Sequence, residues 1–326
     1  MSASDPVYAC DFDTAQHVTG LGGKGTNLIR LRSSGFPVPD GFCLPASAYG
    51  SFVEANQLGP ALDALANVPE VRVPRVAREA AASLAGRLND ARLPAKIDAT
   101  IRASYARLRA RTAADLRVAV RSSSLSEDGA AASSAGLYES YLQVLGEDEV
   151  VAAVLRCYRS LWSFRAIQYR ATKGIDGRRE AMAVVIMEMV RATVSGVTFT
   201  VNPMTQSADE LVIDASWGLG EAIVAGRVTP DHFIAAKPDL RLLAAAIATK
   251  ELEIVPEPGG GNGTLSRPVP AARSGQPTLS ARTLRLVCEV CREVEHAFGS
   301  PQDIEWALQD ETLFILQTRP ITTLLS

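Results

Sequence analysis

The sequence is poor in cysteine and has no long apolar run. Its 326 residues include five cysteines, an odd and small number that argues against a disulfide framework and favours a reducing compartment. The apolar runs, such as residues 181–187, are far shorter than the roughly 20 residues that a bilayer-spanning helix needs. The first residues lack a basic start followed by an apolar core, so no signal peptide is visible. We therefore expect a cytoplasmic protein without a membrane partner.

An excess of basic residues is also missing. Lysine and arginine number 33 against 36 aspartates and glutamates, a formal charge of −3. This balance gives no broad attraction for nucleic acid, so we expect no nucleic-acid partner. Any anion site must be built from a few placed cations. The three histidines, His17, His232 and His296, are scattered and predict no metal cluster.

Cys288 and Cys291 need separate consideration because their spacing is that of half a zinc site or of a redox pair. They also lie in a segment, residues 284–295, whose apolar residues recur at helical spacing. No second Cys/His pair completes a tetrahedral site. The pattern favours two small hydrophobic side chains on the buried face of a helix.

Length and composition predict a soluble globular protein of two or three subdomains, and the order of the predicted elements indicates the α+β class with mixed sheets. Hydrophobic residues make up 47% and charged residues 21% of the chain. Periodicity predicts the following elements: helices over much of 46–112, one helix over 147–173 and another over 281–298, strands at 182–190 and 194–202, a strand, a glycine turn and a short helix within 210–235, a flexible loop at 256–280, and a terminal hairpin of 303–308 and 313–318.

A glycine-rich segment, Gly22-Gly-Lys-Gly25, is the first motif with chemistry. We predict a turn over residues 21–28 and a helix that begins at Gly25. Small residues let the backbone approach a ligand, and Lys24 offers a mobile charge to a phosphate beside a helix N-terminus. The spacing is not that of a Walker A loop. The alternative is a tight turn with an exposed lysine.

The second motif places Arg121 at the end of a strand, residues 117–121, followed by a loop of serine, glycine and alanine up to Gly136. A guanidinium there can clamp a phosphate, and a loop of small residues can cover a nucleotide. The alternative is a surface loop in which Arg121 pairs with Glu127 or Asp128.

The third motif is the terminal hairpin, in which alternate residues share a face. We expect Glu305 beside Gln317, with Arg319 just beyond on the same face. We also expect that face to include Leu313 and Ile315. A carboxylate and an amide oxygen are hard ligands that suit Mg²⁺, and an arginine can balance phosphate charge. The alternative is a polar cross-strand pair on a solvated face.

Taken together, these segments resemble the ATP-grasp nucleotide-binding domain of pyruvate phosphate dikinase, phosphoenolpyruvate synthase and rifampicin phosphotransferase. The resemblance runs from about Leu21 to Ile321. Its carriers, in chain order, are Gly22–Gly25, Pro37–Phe42, Val120–Ser123, Glu127-Asp128, Ser134–Gly136, Ser160–Trp162, Arg165-Ala166, Gly196–Pro203, Trp217–Glu221, Asp303–Ala307 and Gln317–Pro320.

The resemblance implies an ATP-grasp fold of two lobes with mixed or antiparallel sheets around a nucleotide cleft. The N-terminal lobe is expected at 1–190, with a helical insertion at about 46–112 and a phosphate lid loop at about 122–136. The C-terminal lobe with the metal-binding hairpin is expected at 191–326.

The resemblance also implies a role for each site residue, with ATP and Mg²⁺ as cofactors. Lys24 and Arg121 contact the phosphates, and Ser134, Ala135 and Gly136 close over them. Glu188 and Met189 offer backbone groups to adenine. Glu305 and Gln317 bind Mg²⁺, and Arg319 binds the β- and γ-phosphates. Lys24, Arg121 and Arg319 are the expected catalytic cations.

Full-length members of this family also carry a phosphorylatable histidine on a swivelling domain, and usually an acceptor-binding domain. None of the three histidines here stands in a Thr-Ser-His-Ala type motif. We therefore expect a dikinase-type phosphotransferase component that passes phosphate to a histidine on a partner protein and leaves AMP. One alternative is a free-standing ATP-grasp kinase or ligase that acts on a small acceptor. A weaker one is a non-catalytic nucleotide-binding regulator, against which the intact site residues argue.

Overall fold

The computed structural model describes residues 7–66, 73–126, 137–177, 180–258 and 261–322. The chain divides into two compact units. Unit 1 comprises Met1–Thr26 and Asp40–Glu188, and unit 2 comprises Asn27–Pro39 and Met189–Ser326. Each unit contains its own antiparallel sheet, so the α+β fold class predicted from the sequence is confirmed.

Unit 1 is built on a five-stranded sheet in the order β1-β2-β5-β3-β4. Its strands are β1 Cys10–Asp11, β2 Gly41–Leu44, β3 Arg117–Ser124, β4 Ser140–Leu145 and β5 Met182–Glu188. The helices of this part of the chain are α1 Gly22–Ser33, α2 Ala46–Ala55, α3 Gly59–Ala66, α4 Pro74–Asp90, α5 Ala95–Arg111, α6 Glu147–Ser160 and α7 Phe164–Lys173. α1 begins in unit 1 and continues into unit 2.

One face of the unit 1 sheet forms the main hydrophobic core. Val118 and Val120 of β3 belong to the same buried cluster as Tyr158 of α6. Tyr158 packs edge-on against Tyr49 at 5.2 Å between ring centroids, and the indole N–H of Trp162 donates to the Tyr49 hydroxyl at 2.7 Å. Because alternate residues of a strand point to opposite faces, Ala119 and Arg121 lie on the other side of the sheet, away from this core.

Unit 2 contains a six-stranded sheet in the order β13-β12-β6-β7-β8-β9 and a separate β10-β11 pair. Its strands are β6 Val194–Phe199, β7 Glu210–Trp217, β8 Asp231–Ala236, β9 Leu242–Ala246, β10 Leu252–Pro256, β11 Thr264–Pro268, β12 Gln302–Gln309 and β13 Thr312–Pro320. Its helices are α8 Glu221–Val224, α9 Ala271–Ser274 and α10 Ala281–Phe298.

The amphipathic helix α10 covers one face of the six-stranded sheet. Ser280 caps its start by accepting a hydrogen bond from the Thr283 N–H, and Gly299 ends it in the left-handed conformation. Cys291 of α10 contacts the Thr198 side chain on β6, and the same hydroxyl accepts a 2.8 Å hydrogen bond from the Trp306 indole. A side chain at Gly196 would lie 2.1 Å from the Trp306 ring, so glycine is required there.

Two predicted elements differ in kind from the structure. The single helix predicted over 147–173 is two helices, because Ser163 accepts a hydrogen bond from the Ala166 N–H and starts a new one. The flexible loop predicted over 256–280 contains β11 and α9, and its Thr278 and Leu279 are buried. β10 and β11 form a local antiparallel pair, and Gly218, distant in sequence, bridges to Ile254 of this pair.

A fully buried ion pair joins three segments of unit 2. Lys250 Nζ lies 2.6 Å from Asp231 Oδ1, and neither side chain has any exposed surface. The ammonium also donates to the carbonyls of Ala248 and Gln276. The carboxylate accepts hydrogen bonds from the Ala248 N–H and from the N–H and hydroxyl of Thr278. Every hydrogen of this ammonium therefore has a partner, which is the condition for burying such a pair.

We predict that Lys250→Met destabilises the protein by about 3–5 kcal/mol, because it leaves the Asp231 carboxylate charged and buried. Urea unfolding followed by circular dichroism measures the loss. Arg241→Met is the matched control, since Arg241 and Asp239 form an exposed pair at 3.7 Å, and it should change stability by less than about 1 kcal/mol. A Lys250→Met protein that unfolds at the wild-type urea concentration would contradict the expectation.

All five cysteines are buried and free. Cys288 and Cys291 lie on the buried face of α10, as the helical pattern predicted. Burial raises the pKa of Cys10 and of Cys288 to about 11 and that of Cys291 to about 12. Burial also raises the pKa values of the Cys43 and Cys157 thiols far above the ordinary range. The thiolate that reacts with electrophiles is therefore scarce at neutral pH.

We predict that the native protein releases almost no thiol signal with an aromatic disulfide reagent at pH 8, whereas the guanidinium-unfolded protein titrates all five cysteines. Low reactivity is expected in the native protein because the raised pKa values keep its thiols protonated well above pH 8. The absorbance of the aromatic thiolate released from the reagent gives the number of protein thiols that have reacted. A thiol that reacts at the rate of free cysteine in the native protein would contradict this.

Candidate functional site

The start of α1 is fixed on β3 by Ser123. The Ser123 hydroxyl donates to the Leu21 carbonyl at 2.9 Å and accepts from the Gly25 N–H at 3.3 Å. Gly22 has a φ of +63°, and a side chain there would lie 2.3 Å from the same hydroxyl. The helix therefore begins at Gly22, not at Gly25 as predicted, because a residue about 100 positions away serves as its cap.

Lys24 consequently lies in the first turn of a helix, where backbone N–H groups and the helix dipole favour anions. This turn rests on the sheet face that carries Arg121. A side chain at Gly25 would approach Cys43 Sγ at 3.2 Å and Val185 Cγ2 at 3.7 Å. Val185 is directly paired with Cys43 on one side and Arg121 on the other. The structure thus brings Lys24 and Arg121 onto one face of unit 1.

Arg117 shares this face, four residues before Arg121 on β3. Its guanidinium donates to the Gln143 carbonyl at 3.1 Å. Sequence reasoning gave it no role, although the alternation of β3 already puts Arg117 and Arg121 on the same side. The face of β3 opposite the core therefore carries two cations.

The remaining predicted site residues lie at the end of β5 or follow β3 in the sequence. Glu188 is the last residue of β5, and its N–H donates to the Asp40 carbonyl at 2.8 Å. Because this N–H already donates to Asp40, a backbone contact from Glu188 to adenine would have to be made by its carbonyl. Met189 follows as the first residue of the second segment of unit 2. Ser134, Ala135 and Gly136, with Glu127 and Asp128, lie outside the described residues.

The terminal hairpin pairs Glu305 with Gln317, as predicted. The pairing depends on a one-residue irregularity. From the turn, Leu308 pairs with Leu313 and Trp306 with Ile315, but the next pair is Glu305 with Gln317. Leu316 is therefore an extra residue on β13, the arrangement of a β-bulge.

The bulge also corrects the predicted faces of β13. Leu313 and Ile315 are paired with Leu308 and Trp306 and share their face. Gln317 and Arg319 are paired with Glu305 and Asp303 on the opposite face. The expectation that all four β13 residues share a face was wrong, because strict alternation fails where one residue is added.

Asp303 holds Arg319. The guanidinium Nε and Nη2 approach Asp303 Oδ2 at 2.7 and 2.6 Å, and the arginine side chain remains 40% exposed. No role was predicted for Asp303 from the sequence. Its position two residues before Glu305 on one strand was the available signal. Burial raises the pKa of Asp303, the Arg319 guanidinium opposes that rise, and the charge of Glu305 adds to it.

The hairpin offers oxygen ligands of the kind that magnesium prefers. Within the described ranges, no group of three or more histidine, cysteine, aspartate or glutamate side chains is placed to hold a metal ion. Magnesium typically takes one or two protein oxygens and completes its shell with water and phosphate. The Glu305 carboxylate opposite the Gln317 amide fits that requirement. The Arg319 guanidinium is anchored beside this pair by Asp303.

The fold and these two residue groups define an α+β protein of the ATP-grasp class. Lys24 and Arg121 share a face of unit 1, and Glu305, Gln317 and Arg319 share a face of the hairpin in unit 2. Residues 18–326 match the model of the family described as pyruvate phosphate dikinase, AMP/ATP-binding domain. The chain belongs to this family of ATP-binding domains.

Curated relatives agree with the family. A probable phosphoenolpyruvate synthase of Pyrococcus abyssi is 38% identical over 346 residues, which cover 93% of this chain and 42% of the relative. A rifampicin phosphotransferase of a Streptomyces species is 39% identical over 99% of this chain and 36% of its own length. The prodigiosin-synthesising transferase PigC of Serratia marcescens is 39% identical, and the match covers 93% of this chain and 32% of PigC. The chain thus spans less than half the length of these relatives.

None of the helices in the described part of the chain is long and apolar enough to cross a bilayer.

We predict that Gly22→Ala weakens ATP binding by about tenfold or more, because the new methyl group displaces Ser123 and the first turn of α1. Isothermal titration with MgATP measures the affinity. Gly35→Ala is the matched control, since Gly35 also has a positive φ, +82°, but no atom within 4 Å of the added methyl group. Wild-type affinity in Gly22→Ala would show that the tie between Ser123 and α1 does not position the nucleotide.

Proposed function

We propose that this chain is the ATP-binding component of a phosphotransferase of the phosphoenolpyruvate synthase and pyruvate phosphate dikinase type. In this proposal it transfers phosphate from MgATP to a histidine on a partner protein and releases AMP. The observation that carries it is the bulged hairpin, which sets Glu305 opposite Gln317 with Arg319 anchored alongside. Membership of the ATP-binding family supports the nucleotide.

The proposed roles follow the chemistry of each group. Lys24 and Arg121 bind the phosphates, with the α1 N-terminus adding N–H donors. Glu305 and Gln317 hold Mg²⁺, which polarises the phosphates when bound. Arg319 offsets charge on the β- and γ-phosphates, and Asp303 fixes its orientation. Ser134, Ala135 and Gly136 cover the phosphates, and the backbone at Glu188 and Met189 meets adenine.

The position attacked decides the product. If the acceptor histidine attacks the β-phosphorus, the bond between that phosphorus and the α–β bridging oxygen breaks, AMP leaves with the electron pair, and both terminal phosphates move to the nitrogen. If it attacks the γ-phosphorus, ADP leaves instead. We propose attack on the β-phosphorus with release of AMP, as in a dikinase. The acceptor is proposed to be a histidine other than His17, His232 and His296.

We predict that Glu305→Ala and Arg319→Ala each lower ATP turnover by about 100-fold or more, the usual effect of removing one group that stabilises transferring charge. The assay incubates each protein with β- and γ-labelled ATP and follows AMP, ADP and acid-labile phosphohistidine. The trans acceptor is the part of Pyrococcus furiosus phosphoenolpyruvate synthase that lies outside its match to this chain, which covers 42% of that relative. Arg241→Ala, an exposed arginine of unit 2, is the control.

The products separate the alternatives. AMP with label on the acceptor fragment supports the proposal. ADP formed with a small acceptor, without the fragment, indicates a kinase that acts directly. Nucleotide binding without turnover under any condition indicates a regulator. Wild-type rates in Glu305→Ala with an unchanged circular dichroism spectrum would overturn the assignment of the hairpin.

A further inference from the structure

A row of directly paired residues crosses the six-stranded sheet from the hairpin to β9. Paired residues in antiparallel strands share a face, so the whole row lies on the side of Glu305. The row reads Gln317, Glu305, Val197, Asp214, His232 and Ala246. Neighbouring strands lie about 4.8 Å apart, so the His232 backbone is about 14 Å from that of Glu305.

This face is not the one that α10 covers. Trp306 and Thr198 point toward α10, as the contact between Thr198 and Cys291 demonstrates. Glu305 precedes Trp306 on the strand and points the other way. The surface between Glu305 and His232 is therefore not covered by α10. Asp214 is 27% exposed and His232 is 45% exposed, which agrees with an accessible surface.

Asp214 and His232 form an oriented pair on this surface. His232 Nδ1 lies 2.7 Å from Asp214 Oδ1. A carboxylate at this nitrogen favours the tautomer whose proton is on Nδ1, leaving the lone pair on Nε2. Among the described residues, Nε2 has no hydrogen-bond partner. The pair is thus an imidazole held by an acid with its basic nitrogen directed away from the carboxylate, on the same face as the proposed magnesium ligands.

We propose that His232 is the proton acceptor for the group that attacks the phosphate, with Asp214 as its positioning residue. This inference rests on the proposed function. The attacking nitrogen or oxygen forms a bond to phosphorus, and the bond to the bridging oxygen breaks with its electron pair on the leaving nucleotide. The proton that the acceptor loses, from the hydroxyl of an oxygen acceptor or from the other ring nitrogen of an imidazole acceptor, moves to His232 Nε2. The resulting imidazolium is stabilised by the Asp214 carboxylate.

The spacing and the charge of the row support this role. About 14 Å between backbones, less the reach of the two side chains, leaves room for a phosphoryl group and its acceptor between Glu305 and His232. The Asp214 carboxylate, 2.7 Å from His232 Nδ1, is placed to pair with the imidazolium that forms when Nε2 takes a proton. Val197, the residue between the two polar pairs, brings no competing charge.

The test separates transfer from nucleotide binding. Single-turnover transfer from β- and γ-labelled MgATP is measured with two acceptors, free imidazole and the Pyrococcus furiosus fragment, and the MgATP dissociation constant is measured by titration. His232→Asn should slow transfer by about 100-fold or more and leave the dissociation constant within about twofold. Asp214→Asn should also slow transfer, and Asp214→Glu should restore part of it. His296→Asn, an exposed histidine on α10, is the matched control.

Each other outcome overturns the inference. Transfer by His232→Asn within about twofold of wild type excludes a role as proton acceptor. A loss of transfer matched by an equal loss of MgATP affinity makes His232 a nucleotide contact instead. If wild type transfers nothing to either acceptor, the proposed function fails and this inference falls with it. Loss in Glu305→Ala with full activity in His232→Asn overturns this inference alone. Asp214→Glu, which keeps the charge, guards against a folding defect in Asp214→Asn.

Discussion

The position of one extra residue, Leu316, decides which side chains meet at the end of unit 2. If the hairpin kept the register set at its turn, Glu305 would face Leu316 and Gln317 would face Ile304 on the side of α10. The bulge shifts the outer half of the hairpin by one residue. It thereby sets Gln317 opposite Glu305, and Arg319 opposite Asp303. A carboxylate–amide pair with an anchored guanidinium exists on that face only because the alternation is broken once.

Unit 1 reaches a comparable result by a different route. The glycines before Lys24 permit a close approach, but the Ser123 hydroxyl turns that segment into the start of a helix. The cations of this unit come from a helix end and a strand, and both are positioned by residues of β3. In each unit, therefore, the charged groups depend on a backbone feature that is itself fixed by sheet pairing.

The sequence was sufficient for the class of fold, for the terminal hairpin and for the burial of Cys288 and Cys291, because each rests on a local period. It was insufficient where the deciding contact is distant in the chain. The start of α1 depends on Ser123, the order in residues 256–280 depends in part on Asp231, and the faces of β13 depend on a bulge that no residue type announces. The pairing of Arg319 with Asp303 follows from the predicted pairing of Glu305 with Gln317, two residues further along each strand. From the sequence, however, Arg319 was assigned only to the phosphates.

The buried pair of Asp231 and Lys250 has a consequence for how unit 2 moves. The amide hydrogens of Ala248 and Thr278 lie outside the strands, yet both are bound by a carboxylate with no exposed surface. Neither segment can open to solvent without uncovering a charge, so small fluctuations of these loops are energetically coupled to the start of β8. What looks in sequence like connecting chain is therefore part of the same cooperative folding unit as the strand that carries His232.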